Sequence, residues 1–147
     1  MSKVKGIRNI FSLTRKCAIV GSRTFNDYDK LCSVLDWIKS YMGYSFDVII
    51  SGGAKGADSL AEQYAKDNNI TLSVHPANWK KYGKRAGFLR NKEIIKNTEI
   101  CVAFWNGISK GTADDIELCN KYVKECWIYN FEEGILYNKT LTIKEKI

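Results

Sequence analysis

The sequence predicts a single α/β domain, a mostly parallel sheet of about five strands flanked by helices on both faces. Short apolar runs of strand length alternate with longer stretches of helical periodicity. Glycine-rich turns close three of the apolar runs, at Gly21, at Gly52-Gly53 and at Gly107. A chain of 147 residues, 45% apolar, has room for one sizeable core and little beyond it.

Cys17–Val20 is a buried-strand run ending at Gly21. Asn26 is a candidate helix cap, followed by Leu31, Val34, Leu35 and Ile38 at helical spacing and closed by Gly43. Val48–Ile50 is the second strand, and Asp58 is placed to cap a helix carrying Leu60, Ala61, Tyr64 and Ala65. Ile70–Val74 alternates as a third strand, Ala86–Asn97 reads as helix, and Ile100–Trp105 as the fourth strand. Gly107–Thr112 reads as a loop, followed by a helix with Ile116, Cys119 and Val123, then a fifth strand over Cys126–Tyr129. Leu136-Tyr137 and Leu141-Thr142-Ile143, around Asn138-Lys139, predict a small C-terminal hairpin. The alternation is that of a Rossmann-like sheet with right-handed crossovers. The organisation predicted is a basic extension over 1–15, the α/β domain over 16–130 and a tail over 131–147.

No apolar run approaches a bilayer-spanning length, and the basic N-terminus lacks a continuous apolar h-region, which together predict a cytoplasmic protein without a membrane partner. The five cysteines are irregularly spaced with no Cys-x-x-Cys pair, and His75 is the single histidine. Reduced, structural thiols and no metal site are therefore expected. The net charge of +7 is concentrated in two blocks. Lys3, Lys5, Arg8, Arg15 and Lys16 precede any acid, and Lys80, Lys81, Lys84, Arg85, Arg90 and Lys92 form an acid-free stretch. Such a field suits phosphates of a small ligand or of a nucleic acid, against the plainer alternative of a solvated basic face.

Three loops fall on the carboxyl edge of the predicted sheet, where open α/β sheets take ligands. They are Gly21-Ser22-Arg23, the stretch Ser51-Gly52-Gly53-Ala54-Lys55-Gly56-Ala57-Asp58, and Gly107-Ile108-Ser109-Lys110-Gly111-Thr112. Glycine allows backbone N–H groups to converge on an anion, and a helix start behind each loop adds its positive end. Neither a Walker A ending nor a three-glycine dinucleotide fingerprint is present, which disfavours ATP hydrolysis and hydride transfer.

Five motifs stand in order: Gly21-Ser22-Arg23-x-Phe25, Ser51-Gly52-Gly53-Ala54-x-Gly56-Ala57-Asp58, Pro76-Ala77-x-Trp79, Gly83-x-x-Ala86-Gly87-x-x-Arg90-Asn91 and Ala103-Phe104-Trp105-x-Gly107-x-Ser109-x-Gly111-Thr112. From about Ala18 to about Tyr129 the chain closely resembles the YspA-like (YAcAr) branch of the SLOG superfamily, which also contains DprA and the LOG phosphoribohydrolases. The resemblance implies a Rossmann-like domain that binds a nucleotide or a derivative, including cyclic-ADP-ribose-type signals of antiviral systems. It also implies pairing into a homo-oligomer.

Ligand-binding candidates are Gly21, Ser22, Arg23, Ser51, Gly52, Gly53, Ala54, Lys55, Gly56, Asp58, Trp79, Arg90, Asn91, Gly107, Ser109, Gly111 and Thr112. Asp58 has two compatible readings, a ribose partner or a helix cap. Trp79 stacks on a base or packs at the surface. By similarity to the LOG enzymes, Arg90 and Asp115 occupy catalytic positions of an N-glycosidase, with the family's glutamate shortened to aspartate and its Pro-Gly-Gly replaced by Gly107-Ile108-Ser109. The plainer reading makes Asp114 and Asp115 first-turn helix acids facing the dipole. The leading expectation is a sensor or sequestering protein, not an enzyme and needing no cofactor. A phosphoribohydrolase and a DprA-like DNA-binding module are the alternatives.

Overall fold

The computed structural model describes residues 15–122 and 125–147. Seven strands and five helices are described: β1 (Lys16–Gly21), α1 (Tyr28–Met42), β2 (Val48–Ser51), α2 (Ala57–Asp67), β3 (Thr71–Val74), the single turn α3 (Trp79–Tyr82), α4 (Ala86–Lys96), β4 (Ile100–Trp105), α5 (Lys110–Tyr122), β5 (Glu125–Asn130), β6 (Ile135–Asn138) and β7 (Ile143–Lys146). A 3-10 turn over Gly83–Arg85 joins α3 to α4. The sheet order is β3-β2-β1-β4-β5-β6-β7. Pairing is parallel from β3 through β5 and antiparallel for β5–β6 and β6–β7.

The expected parallel sheet of about five strands is thus part of a seven-stranded mixed sheet. The predicted hairpin joins the sheet, with β6 paired directly to β5 and Tyr129 opposite Leu136. Its second strand begins at Ile143, later than the apolar Leu141 suggests, because Leu141 and Thr142 are spent on the turn. There Asn138 Oδ1 accepts from Leu141 N at 3.1 Å and Thr142 takes φ 56°. The Tyr129 hydroxyl donates to the Ile147 carbonyl at 2.9 Å and ties the chain end to the sheet.

β1 and β4 are the central strands, which is why Cys17–Val20 and Ile100–Phe104 are apolar without alternation. Their side chains divide between two cores. One holds Ile19, Val102, Phe104 and Trp127 beneath α1 and α2; the other holds Ala18, Val20, Cys101 and Ala103 beneath α4 and α5. β1→β2→β3 runs outward one way and β4→β5 the other, so right-handed crossovers place the two helix pairs on opposite faces.

Local chemistry corrects several expected boundaries. Asp27, not Asn26, caps α1, accepting from Lys30 N at 3.0 Å. Gly56, not Asp58, is the N-cap of α2. Trp79 and Tyr82 lie in a helical turn, not a loop, because Asn78 caps it by accepting from Lys81 N at 3.0 Å. α5 starts at Lys110, so Gly111 and Thr112 are helical. Val123, expected on the apolar face of α5, lies outside the described residues, as does most of the predicted N-terminal extension.

Candidate functional site

The strand order reverses between β1 and β4: the chain leaves β1 toward one face and β4 toward the other. Loops that part in this way open a crevice at the carboxyl edge. A cleft of about 520 Å³ lies there, within the roughly 300–1,000 Å³ usual for small-molecule sites. The two strands approach so closely at its base that a Cβ on Gly21 would lie 2.4 Å from the Phe104 carbonyl. Ser22 N donates to that same carbonyl at 2.9 Å. Gly56 has a related role, with φ +76° and a virtual Cβ 2.4 Å from the Ser22 carbonyl, so the first two loops touch backbone to backbone.

Two acids line the cleft, and both are buried: Asp58 is 7% exposed and Asp115 is 5% exposed. Asp58 Oδ2 accepts from Ala54 N at 3.1 Å, so the residue expected to cap its helix instead latches the preceding loop. Asp115 lies beyond the first turn of α5, which contains no acid. The reading of Asp114 and Asp115 as first-turn acids facing the helix dipole is thereby overturned. Asn91 Nδ2 on α4 donates to both oxygens of Asp115, at 2.9 and 3.1 Å. Burial pushes the Asp115 carboxyl up to about 7; Asn91 and Arg90 oppose the shift, while Asp58 and Asp114 add to it. Burial also raises Asp58, against the Ala54 N–H and the nearby charges of Arg90 and Arg23.

Arg90 links these parts. Its Nη1 donates to the Gly52 carbonyl and, at 3.3 Å, to the His75 carbonyl, and its Nε donates to Asn91 Oδ1. A Cβ on Gly52 would fall 2.6 Å from the guanidinium carbon. Gly52 therefore clears space for an arginine of this chain, where a close approach to a ligand anion was expected. Burial lowers the Arg90 pKa, and the carboxylates of Asp58 and Asp115 oppose that shift.

The loop N–H groups behave differently from expectation. Gly53 N donates to Ser51 Oγ at 3.1 Å and Thr24 N to Ser22 Oγ at 3.2 Å. Asn106 Oδ1 accepts from Ile108 N and Ser109 N at 2.9 and 2.7 Å. With Ala54 N on Asp58, five N–H groups of the three loops are spent on holding the loops rigid.

Of the expected ligand residues, Gly21, Ser22, Arg23, Ala54, Asp58, Trp79, Arg90, Asn91, Ser109, Gly111 and Thr112 line this cleft. Gly52, Gly53 and Lys55 line an adjoining lobe of about 460 Å³, which shares Arg23, Ala54, Trp79 and Arg90 with the first. Ser51, Gly56 and Gly107 line neither. Ser51 is fully buried and its hydroxyl contacts the Asp58 carbonyl and Glu62; Gly107, at φ +88°, packs against Asn130. Thr24, Lys84, Phe88, Asn106 and Asp114 line the cleft without having been singled out as ligand residues. The Asn-Gly pair at 106–107 is a turn signal that marks Asn106; nothing comparable marks Phe88. Among the described residues no group of three or more His, Cys, Asp or Glu side chains is arranged to hold a metal ion.

Residues 15–82 match the family described as YspA, cpYpsA-related SLOG family. The chain is also 36% identical over 104 residues to the Gene 61 protein of Mycobacterium phage D29, covering 67% of this chain and 82% of that protein. The chain belongs to this SLOG family. Membership carries an association with nucleotide-related ligands. The matched span takes in the first two loops and Trp79, whereas Arg90, Asn91 and Asp115 lie beyond it, so their place in the cleft rests on the geometry. No solved structure matches the chain, and no described helix is long and apolar enough to cross a membrane.

Proposed function

We propose that this SLOG protein binds a nucleotide or nucleotide-derived small molecule in the switch-point cleft, as a sensor or a sequestering protein. The observation that carries the reading is the polarity of the cleft. Two buried carboxylates, Asp58 and Asp115, share it with the cations Arg23, Lys84 and Arg90. A nucleotide has matching chemistry, with ribose hydroxyls that donate to carboxylates and phosphates that accept from arginine and lysine. Trp79, 49% exposed and bordering both lobes, offers a face to the base.

Arg23 is the cleanest probe, because it is exposed and lines both lobes, whereas Arg90 also supports the fold. Calorimetric titration of a nucleoside monophosphate panel should show binding that Arg23→Ala weakens by about 1.5–3 kcal/mol, the range for a hydrogen bond to a charged group. An unaltered dissociation constant would remove Arg23 from the site, and no binding by any member would remove the reading.

One observation favours a second reading, an N-glycosidase of nucleoside monophosphates. A buried carboxyl held near neutrality is suited to proton transfer at physiological pH. Water would add at the anomeric carbon as the glycosidic bond breaks, and the base would leave carrying a proton. Chromatography of incubated monophosphates for free base separates the readings. Under the enzyme reading Asp115→Asn lowers turnover at least about a hundredfold; a binder leaves every compound intact.

A further inference from the structure

The segment from Trp79 to Arg85 leads up to the cleft and carries groups that a mononucleotide leaves unused. Trp79 and Tyr82 are 49% and 46% exposed, large aromatic areas that a buried core has not claimed. Lys80, Lys81, Lys84 and Arg85 are exposed between and beside them, and no acid occurs from Pro76 to Lys92. Alternating aromatic faces and cations match a polyanion with stackable bases, which describes single-stranded nucleic acid; in a duplex the base faces are covered. Trp79 and Lys84 belong both to this surface and to the cleft lining, so the surface continues into the cleft.

The cleft selects which part of such a strand enters. Asp58 and Asp115 lie deeper than the cations Arg23, Lys84 and Arg90, and a carboxyl accepts from hydroxyls while an ionised one offers a phosphate no donor, so the innermost group is uncharged and donates hydrogen bonds. A strand passing through would carry a phosphate on each side of the innermost sugar. A terminus carrying two neighbouring hydroxyls is the 3′ end of RNA. We propose that the cleft takes the 3′-terminal nucleoside of single-stranded RNA, with the preceding phosphates laid along Lys80, Lys81, Lys84 and Arg85 and the preceding bases against Tyr82 and Trp79. This rests on the nucleotide reading of the cleft and names its ligand class.

Fluorescence anisotropy with a 5′-labelled hexaadenylate bearing a free 3′ end tests it, with adenosine monophosphate as unlabelled competitor. The oligomer should bind at least about tenfold more tightly than the monophosphate, since base stacking adds at each further nucleotide. A 3′-phosphate or a 2′-deoxy terminal residue should remove most of that affinity. The triple substitution Lys80→Glu, Lys81→Glu and Arg85→Glu, all outside the cleft lining, should abolish the advantage and leave monophosphate affinity intact. Equal affinity for oligomer and monophosphate overturns the RNA inference while the nucleotide reading survives; binding of neither overturns both. Indifference to the 3′ end, or equal competition by polyglutamate, also overturns it, the first by removing end recognition and the second by showing a general polyanion surface.

Discussion

The two faces of the sheet are built to different ends. Beneath α1 and α2 lies an aromatic core: Phe25 stacks on Phe104 at 5.0 Å, Phe104 meets Tyr129 edge-on, and Trp127 meets Trp37 edge-on at 6.0 Å. Large rings bury much apolar area each, and the indole N–H of Trp127 is satisfied by Glu125 at 2.7 Å. Beneath α4 and α5 the buried side chains are smaller, Ala18, Val20, Cys101, Ala103 and Cys119 among them. At the carboxyl end that second core gives way to polar groups, where Asn91 of α4 meets Asp115 of α5. Apolar burial dominates the first face, which buries one acid, Asp58 in the first turn of α2, while the second face uses part of its helix-helix contact to hold a carboxyl that burial disfavours. Sites of this kind are where a chain departs from its own packing logic.

The thiols cross that division, since Cys17 lies in the first core and burial raises its thiol as well. Cys101, Cys119 and Cys126 cluster on the second face, and their pKa values are raised. Raised thiols are poor nucleophiles, so they pack as small hydrophobes, as the sequence suggests.

If the first face supplies stability alone, Trp127→Ala should cost about 3–5 kcal/mol in urea unfolding, the range for truncating a buried tryptophan. Nucleotide affinity of the folded fraction should not change; a parallel loss of affinity would break the division between the faces.

The second face should show the opposite signature. The folded chain keeps a proton on Asp115 up to about pH 7, whereas the unfolded carboxyl releases its proton near the ordinary aspartate range. Between those values the folded state binds more protons, so stability falls as pH rises and levels off above neutrality. Asp115→Asn should remove most of that slope and stabilise the protein at pH 8 by roughly 2–4 kcal/mol, at about 1.4 kcal/mol per pKa unit. Asp58, on α2 of the first face and also raised by burial, adds a slope of the same sign that Asp115→Asn leaves in place. Thermal unfolding across pH 4 to 8 measures both, and a wild-type stability that rises over this interval would contradict the assignment.

The smallest effect belongs to the rim. Ile108 is 84% exposed, and its loop is held by Asn106 through backbone N–H groups. Ile108→Ser should change stability by less than about 0.5 kcal/mol, whereas Asn106→Ala, which frees two N–H groups, should exceed it in the same melting assay.

Much of this was legible in the residues. The apolar runs of β1 and β4 announce buried parallel strands because both of their faces are covered, and the helical periodicity of Leu31 to Ile38 needs no partner to be visible. The five motifs carried the family, and most of the residues they single out line the cleft or its adjoining lobe. Other features depend on which elements become neighbours, and no local pattern encodes that. Thr71–Val74 and Ile143–Lys146 become the two edges of one sheet only through pairings with β2 and β6. Gly52 reads as an anion-binding glycine until α4 lays Arg90 across it, 38 residues away. Asp115 reads as a first-turn helix acid until Asn91, 24 residues earlier, closes over it. Periodicity and turn chemistry are local and act through adjacent residues, so the chain alone determined its elements and their order. Burial and charge coupling act through space, so only the tertiary structure decided which side chains face the cleft and what protons they hold.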